Sequence, residues 1–424
     1  MNGTIRTTVW LGAILVSVAL GAWGCSGSDG CSECGTGGTG AAAGAGGASD
    51  GTGGESCEPC GGSPGTGGFG NQGGSTGSVT ALDVEPMITG LDKPWDIGWL
   101  PDGTVVVTER PGRINVYNDG LDQAPLVIAP DDVIANGEGG MLGLEVDPAF
   151  DQNGYIYACF CSTEDGAPDV RVVRFTLSTP GADSVVGRDD IVVGMPYSTG
   201  RHSGCRPRFG PDGYLWVGTG DAAIASTPQD PDSLGGKVLR IDRDGAAAPD
   251  NSSGLRWYSD GHRNIQGMAF RLSDGLGMSA EHGPSIDDEI NLLVEGNFGW
   301  DPGPGYDESV PMTDFEKFPD AVGAVFSTGS PTLAYSGSEF LNDPGWGNWE
   351  GAYVVATLRA QHLHLYFVDA DGNATDGGRY IEDQGRLRSP RMGPDGLLYV
   401  TTDGGGDSGE VLKVSPVLTP SDTP

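Results

Sequence analysis

From Val79 onward the chain alternates short apolar runs with tight clusters of Gly, Asp, Asn and Pro, and no stretch carries the apolar spacing of a helix. One unit recurs: a Pro-Asp-Gly turn, one further residue, then three apolar residues. It appears as Pro101-Asp102-Gly103-Thr104-Val105-Val106-Val107, as Pro211-Asp212-Gly213-Tyr214-Leu215-Trp216-Val217 and as Pro394-Asp395-Gly396-Leu397-Leu398-Tyr399-Val400. Each reads as a tight turn leading into a β-strand, because Pro and Asp favour turn entry and Gly supplies the left-handed backbone. Degenerate copies stand at Asn153-Gly154-Tyr155, Ser273-Asp274-Gly275-Leu276 and Glu350-Gly351-Ala352-Tyr353. The turn glycines fall at 103, 154, 213, 275, 351 and 396, at intervals of 51, 59, 62, 76 and 45. Six such units predict an all-β chain folded as a six-bladed β-propeller. An irregular sandwich has no reason to repeat one turn six times.

The first part of the chain follows a different pattern. Arg6 precedes an apolar run from Val9 to Ala22, shorter than the ~20 residues of a membrane-spanning helix and suited to a secretory signal. The run ends in Ala22-Trp23-Gly24-Cys25, which resembles a bacterial lipoprotein box, so residues 1–25 are read as a signal peptide of lipoprotein type in preference to ordinary secretion. The expected location is therefore outside the cytoplasm, at the bacterial cell envelope. Residues 26–78 are almost entirely Gly, Ser, Thr and Ala and read as a disordered linker, since they bury too little apolar surface to offset the entropy of ordering. Residues 79–424 form the propeller, the catalytic domain. Two pairs, Cys31/Cys34 and Cys57/Cys60, lie in the linker, where a disulfide-closed knot is preferred to zinc because no His or apolar shell accompanies them. Cys159 and Cys161 share one strand face, and one of them is expected to bond Cys205; the alternative is three buried thiols.

Charge removes whole classes of function. Lys and Arg number 23 against 58 Asp and Glu, a net charge of -35, which repels nucleic-acid backbones and anionic lipid. Membrane contact is then expected only through the lipid anchor. In so acidic a chain the placement of the few cations is informative. His202 lies just ahead of the third turn unit's strand, Arg263 ahead of the fourth and Arg386 ahead of the sixth, with Arg206, Asn264 and Arg388 beside them. Equivalent positions in different blades converge in space, so these residues predict one cationic cluster at the channel mouth. Arg presents a planar fork of donors suited to carboxylates, and the cluster predicts an anionic ligand.

Five segments occur in order: Gly137-Glu138-Gly139-Gly140-Met141-Leu142-Gly143-Leu144, His202-Ser203-Gly204-Cys205-Arg206, Gly261-His262-Arg263-Asn264-Ile265-Gln266-Gly267, Glu281-His282-Gly283-Pro284-Ser285-Ile286-Asp287-Asp288-Glu289-Ile290-Asn291 and Gly385-Arg386-Leu387-Arg388. Together they resemble the soluble glucose/sorbosone dehydrogenases that depend on pyrroloquinoline quinone (PQQ), six-bladed propellers also called aldose sugar dehydrogenases. The resemblance runs from about Leu82 to Val414. It implies that His202 is the base taking the anomeric hydroxyl proton while a hydride passes from that carbon to the C5 carbonyl of the quinone. It places Arg263 beside the reacting carbonyl and gives Arg206, Asn264, Arg359, Arg386 and Arg388 to the cofactor, with Arg359 standing where the family has Lys. It also gives Gly283 and Pro284, through their carbonyls, to a Ca²⁺ ion bridging to PQQ. For Asp287, Asp288 and Glu289 a solvated acidic turn and a role near calcium stand equal.

The departures concern substrate. Glu138 replaces a substrate-contacting Gln, His282 replaces a Gln, and Arg201 replaces an acid before the base, so the identity of the sugar does not transfer. The expected partners are a sugar and an unidentified electron acceptor. Two other readings stand beside this one. A calcium-dependent propeller hydrolase of the lactonase kind would need carboxylate or Asn side chains lining the channel, and a surface recognition propeller would share the fold alone.

Overall fold

The structure is a computed structural model and describes residues 77–419; the expected signal peptide and lipoprotein box and the two CxxC pairs lie outside the described residues. Strands dominate, with one short α-helix at Phe150–Asn153 and two 3₁₀ segments. They form six sheets, five of four strands and one of five. The first strands of the six blades are Pro94–Trp99, Met141–Val146, Arg206–Phe209, Ile265–Phe270, Tyr335–Phe340 and Leu387–Met392. Each touches the first strand of the next blade, and the last touches the first, which closes a ring around a central channel. The chain is a six-bladed β-propeller.

The repeat has a local cause. In blade 1 the Gly103 N–H donates to the Leu100 carbonyl (2.9 Å) and the Thr104 N–H to Asp102 Oδ1 (2.9 Å). The same side-chain turn recurs at Asp212 with Tyr214, at Asp395 with Leu397, at Asn153 with Tyr155 and at Asp274 with Leu276. The six turn glycines take φ between 69° and 90°, the left-handed region that a side chain disfavours. Each turn therefore joins the first and second strands of a blade at one fixed point. Glu350, which offers no such short side chain, is instead preceded by the 3₁₀ segment Pro344–Trp349.

The inner strands of a blade are covered on both faces and are buried nearly throughout, whereas outer strands such as Val185–Met195 and Ala374–Tyr380 are largely open to solvent. The buried apolar residues fall into six clusters, one at each seam between neighbouring blades. Val106, Ile114, Leu144, Ile156 and Phe160 fill the seam between blades 1 and 2, and Leu142, Tyr157, Val172, Val217 and Leu239 that between blades 2 and 3. The ring closes through blade 6, where the N-terminal strand Ser78–Leu91 pairs antiparallel with Gly409–Thr419, from Ser78 opposite Thr419 to Leu91 opposite Gly409. Ser78, counted with the linker by composition, is thus the first residue of a strand.

Cys159 of blade 2 is bonded to Cys205 at the start of blade 3, and Cys161 is a buried free thiol. The bond joins residues 46 apart across a blade seam. Replacing both partners in Cys159→Ser/Cys205→Ser should lower the unfolding free energy by about 2–4 kcal/mol, as loss of a cross-link of this span does. Urea unfolding checks this, and an unchanged midpoint and slope would show that the bond adds nothing.

Candidate active site

The loops that lead into the first strands all open on one mouth of the channel, and they carry the polar residues singled out above. His202 is buried, with its backbone in the left-handed region at φ 48°. Two close approaches hold it there. Its N–H donates to a Glu138 carboxylate oxygen (3.0 Å), and a Cβ on Gly220 would lie 1.8 Å from its carbonyl oxygen, so only glycine fits opposite. Three residues on, the Cys159–Cys205 bond pins the same loop to blade 2.

The His202 ring is oriented by Asp221. Nδ1 lies 2.8 Å from Asp221 Oδ1, and Asp221 is fully buried. That carboxylate also accepts from Trp300 Nε1 (2.8 Å), the Tyr306 hydroxyl (2.6 Å) and the Ala223 N–H (2.7 Å). Because a carboxylate only accepts, Nδ1 carries a proton, and in the neutral ring the lone pair is then on Nε2. Nε2 is the ring atom left for chemistry, with Arg201 Nη2 at 3.4 Å.

Arg263 is buried next to this group. Its Nη1 donates to the His282 carbonyl (2.6 Å) and its Nη2 to Glu308 (2.6 Å), while Nε has no partner. Arg201 donates to the same Glu308 oxygen (3.0 Å). Burial alone would raise the Glu308 carboxyl, but Arg263 and Arg201 hold it below its ordinary value. Asn264 accepts the Gly204 N–H on Oδ1 (3.2 Å), tying the Arg263 loop to the His202 loop.

A second group lies deeper. Arg206 is fully enclosed, 4.0 Å from the Trp95 ring centre and 2.7 Å from Asp96, and its Nε donates to the Gln266 carbonyl (2.7 Å). Both Arg206 Nη atoms lack a well-aligned hydrogen bond. Burial would raise the Asp96 carboxyl, yet Arg206 and Arg208 hold it well below the usual carboxylate range. Arg388 also faces Trp95 (5.7 Å) and donates to the Gln266 amide oxygen (3.1 Å) and to Asp403 (2.9 Å). Half-exposed Arg386 donates to Asp403 (3.0 Å). Gln266 thus links Arg206 and Arg388 to the strand that Asn264 leads into. Arg359 stands apart from both groups: it is exposed and its side chain makes no hydrogen bond or ion pair among the described residues.

The solvated acidic turn is corrected for two of its three residues. Asp288 and Glu289 are buried. Asp288 accepts the N–H groups of Gly283 (3.0 Å), Leu333 (2.6 Å) and Ala334 (3.0 Å) and the Thr332 hydroxyl (2.7 Å), so it pins the Gly283–Pro284 bend to the entry of blade 5. Burial, followed by the Glu281 charge, pushes the Glu289 carboxyl up. Asp287 is only partly covered and accepts from Ser327 (3.0 Å). The bend is tight, since a Cβ on Gly283 would lie 2.3 Å from the Ile286 carbonyl oxygen.

The structure therefore brings together Glu138, His202, Arg263 and Asn264, with Arg206, Arg386 and Arg388 beneath and beside them. The sequence reading missed Asp221, Asp403, Tyr306 and Glu308. Asp221 and Asp403 follow the apolar run of a second strand after a fixed turn, so their repeat position was a usable signal. Tyr306 and Glu308 come from a long insertion in blade 4 and carried none.

The chain is similar to known proteins along most of its length. The profile of the family described as Glucose / Sorbosone dehydrogenase matches residues 91–413. The aldose sugar dehydrogenase YliI of Escherichia coli (strain K12) is 34% identical over 354 residues, covering 79% of this chain and 93% of that protein. Quinoprotein glucose dehydrogenase B of Acinetobacter calcoaceticus is 32% identical over 413 residues, covering 77% of this chain and 86% of that one. The PQQ-bound form of an aldose sugar dehydrogenase from Streptomyces coelicolor superposes with a TM-score of 0.65 at 28% identity, covering 80% of this chain and all of that one.

The ring assignment can be checked directly, because the chain has only five histidines. Nitrogen NMR at alkaline pH should show His202 protonated on Nδ1 alone. Asp221→Asn should mix the two tautomers, and a single Nε2-protonated form in the parent would contradict the assignment.

Proposed function

The chain belongs to the glucose/sorbosone dehydrogenase family, a family of oxidoreductases, and from that premise we propose that it is a PQQ-dependent dehydrogenase of aldoses in which His202 is the general base. The observation that carries the proposal is the pairing of His202, its ring fixed through Nδ1 by Asp221 and its Nε2 facing Arg201 Nη2 at 3.4 Å, with the buried Arg263 guanidinium beside it. The relatives named above include one solved with PQQ and one named a quinoprotein, which supports the cofactor.

The donor set suits a planar polycarboxylate. Arg386 offers a half-exposed guanidinium beside buried Arg388, and the buried nitrogens Arg388 Nε and Arg263 Nε have no partner. Asn264 and, from below, Arg206 complete the proposed cofactor contacts. The Gly283 and Pro284 carbonyls would supply hard oxygen ligands to Ca²⁺, on a bend already held rigid by Asp288. When bound, PQQ supplies an electrophilic carbonyl that accepts a hydride from the sugar's anomeric carbon.

The chain's own residues do the rest. His202 Nε2 takes the proton from the anomeric hydroxyl, and Asp221 stabilises the imidazolium that results. Arg263 places positive charge where negative charge develops. Glu138, exposed at the mouth and bound to the His202 N–H through one oxygen, keeps its other oxygen for a sugar hydroxyl. An unidentified electron acceptor would reoxidise the cofactor, and the signal-like pattern of residues 1–25 supports a place at the cell envelope.

The hydrolase reading finds less support. Asp96, Glu145 and Glu339 are already paired with Arg206, Arg208 and Arg391.

His202→Ala should leave PQQ bound and lower sugar-dependent dye reduction by ~10² or more, the usual contribution of a positioned base. A parental rate in that variant would overturn the assignment. Arg386→Ala/Arg388→Ala should instead act on binding, weakening PQQ affinity by ~10² or more, since two charge-assisted contacts are lost. Fluorescence titration with PQQ measures this, and equal affinity in variant and parent would place the cofactor elsewhere.

A further inference from the structure

Behind Arg263 and Asn264 lies a polar chain that the proposed chemistry does not use. The Ser259 hydroxyl is 2.9 Å from His262 Nε2, and His262 Nδ1 is 2.9 Å from Glu281 Oε2. These are the distances and order of a hydrolase triad. Burial rules that role out: Ser259, His262 and Glu281 are each 1% exposed, so no substrate reaches the hydroxyl. Phe298 stacks on the His262 ring at 4.4 Å and seals it further.

The outlet of the chain lies at the other end. Glu281 Oε1 accepts the backbone N–H groups of both Arg263 and Asn264, the latter at 3.3 Å. Its Oε2 takes His262 Nδ1 and, at 3.4 Å, Asn291 Nδ2. Four donors thus converge on one carboxylate, which fills its accepting capacity and fixes its orientation. Arg263 and Asn264 sit where a loop becomes the first strand of blade 4, and no strand partner is available there for both N–H groups. Without Glu281 these two groups would be buried and unpaired, so the segment would have to shift.

We infer that Glu281 is a positioning residue for the cofactor site: it holds the Arg263–Asn264 backbone so that both side chains face the mouth, while Ser259 reaches Glu281 only through His262. The inference rests on the PQQ reading above for what the two side chains contact. The positioning itself does not depend on that reading.

The full chain is compared as parent, Glu281→Gln and Ser259→Ala by two measurements: hydrogen exchange of a peptide spanning Gly261–Ile265, followed by mass spectrometry, and fluorescence titration with PQQ in the presence of Ca²⁺. Glu281→Gln should still melt cooperatively, exchange about tenfold faster in that peptide and bind PQQ about tenfold more weakly, because both backbone N–H groups exchange a charged acceptor for a neutral amide oxygen while the new NH₂ meets the Asn291 donor. In the loaded enzyme kcat should fall while the sugar KM stays within about threefold, because the sugar is bound by other loops. Ser259→Ala, which touches neither N–H, should leave exchange and affinity within about twofold of the parent. Parental exchange and affinity in Glu281→Gln would overturn the inference, as would equal losses in Ser259→Ala, which would mark general loosening. If Glu281→Gln does not fold, Glu281→Asp, with the carboxylate drawn back by one methylene, carries the same expectation. A parent that binds no PQQ removes the cofactor role and the proposed function with it, and the exchange result then decides the positioning alone.

Discussion

An acidic side chain at the mouth end of a blade's second strand, facing the loop that enters the first strand of the same blade, sets the position of nearly every group in the site. The first and second strands are antiparallel neighbours, so the end of one lies beside the start of the other. Asp221 takes this place in blade 3 and holds His202; Glu281 takes it in blade 4 and holds Arg263 and Asn264; Asp403 takes it in blade 6 and holds Arg386 and Arg388. Glu109 does the same in blade 1, accepting the Asp92 N–H at 2.6 Å. Blades 2 and 5 end this strand in Ser162 and Thr357, and the loop entering blade 2 carries an acid, Glu138, instead of a base. Each carboxylate sits in a poorly hydrated place, where its hydrogen bonds are worth more than in water and a lost partner costs more. A loop held this way has few alternatives, which a reaction needing sub-ångström placement requires.

The clamps depend on the blades being packed in a fixed arrangement. Each seam carries its own buried apolar cluster, and the pairing of Ser78–Leu91 with Gly409–Thr419 joins the two ends of the described chain in one sheet. Separate loops, remote in sequence, therefore meet at the mouth with fixed spacing. The charged floor of the channel, where Asp96 faces both Arg206 and Arg208, adds a buried ionic contact between blades 1 and 3. Such a contact contributes little net stability but makes misplacement of either blade costly.

The architecture was legible because its cause is local. The Asp-Gly turn needs a short accepting side chain and a left-handed residue; both appear in the sequence at five of the six turns, and the sixth, at Glu350-Gly351, keeps the glycine alone. All six turns lie where the repeat puts them, between the first and second strands. His202, Arg263, Arg386 and Arg388 were legible for the same reason, since each sits at a countable distance from a turn. For Asp288 and Glu289 the sequence left two readings open, and the solvated turn falls because the backbone that folds over the run is not legible in it: Asp288 is buried by the N–H groups of residues more than forty positions away. Tyr306 and Glu308 were illegible for a further reason. They belong to no repeat, and only the path of a long insertion brings them back over His202 and Arg263.

The account turns on one claim, that this mouth binds a redox cofactor and lets a sugar reduce it. Anaerobic absorption spectroscopy of the purified full chain with added PQQ and Ca²⁺, followed by addition of aldoses in turn, addresses it most directly. The account predicts saturable binding of one PQQ per chain and conversion of its spectrum to that of the reduced form by at least one aldose. No saturable binding, or a bound spectrum that every aldose leaves unchanged, would contradict it.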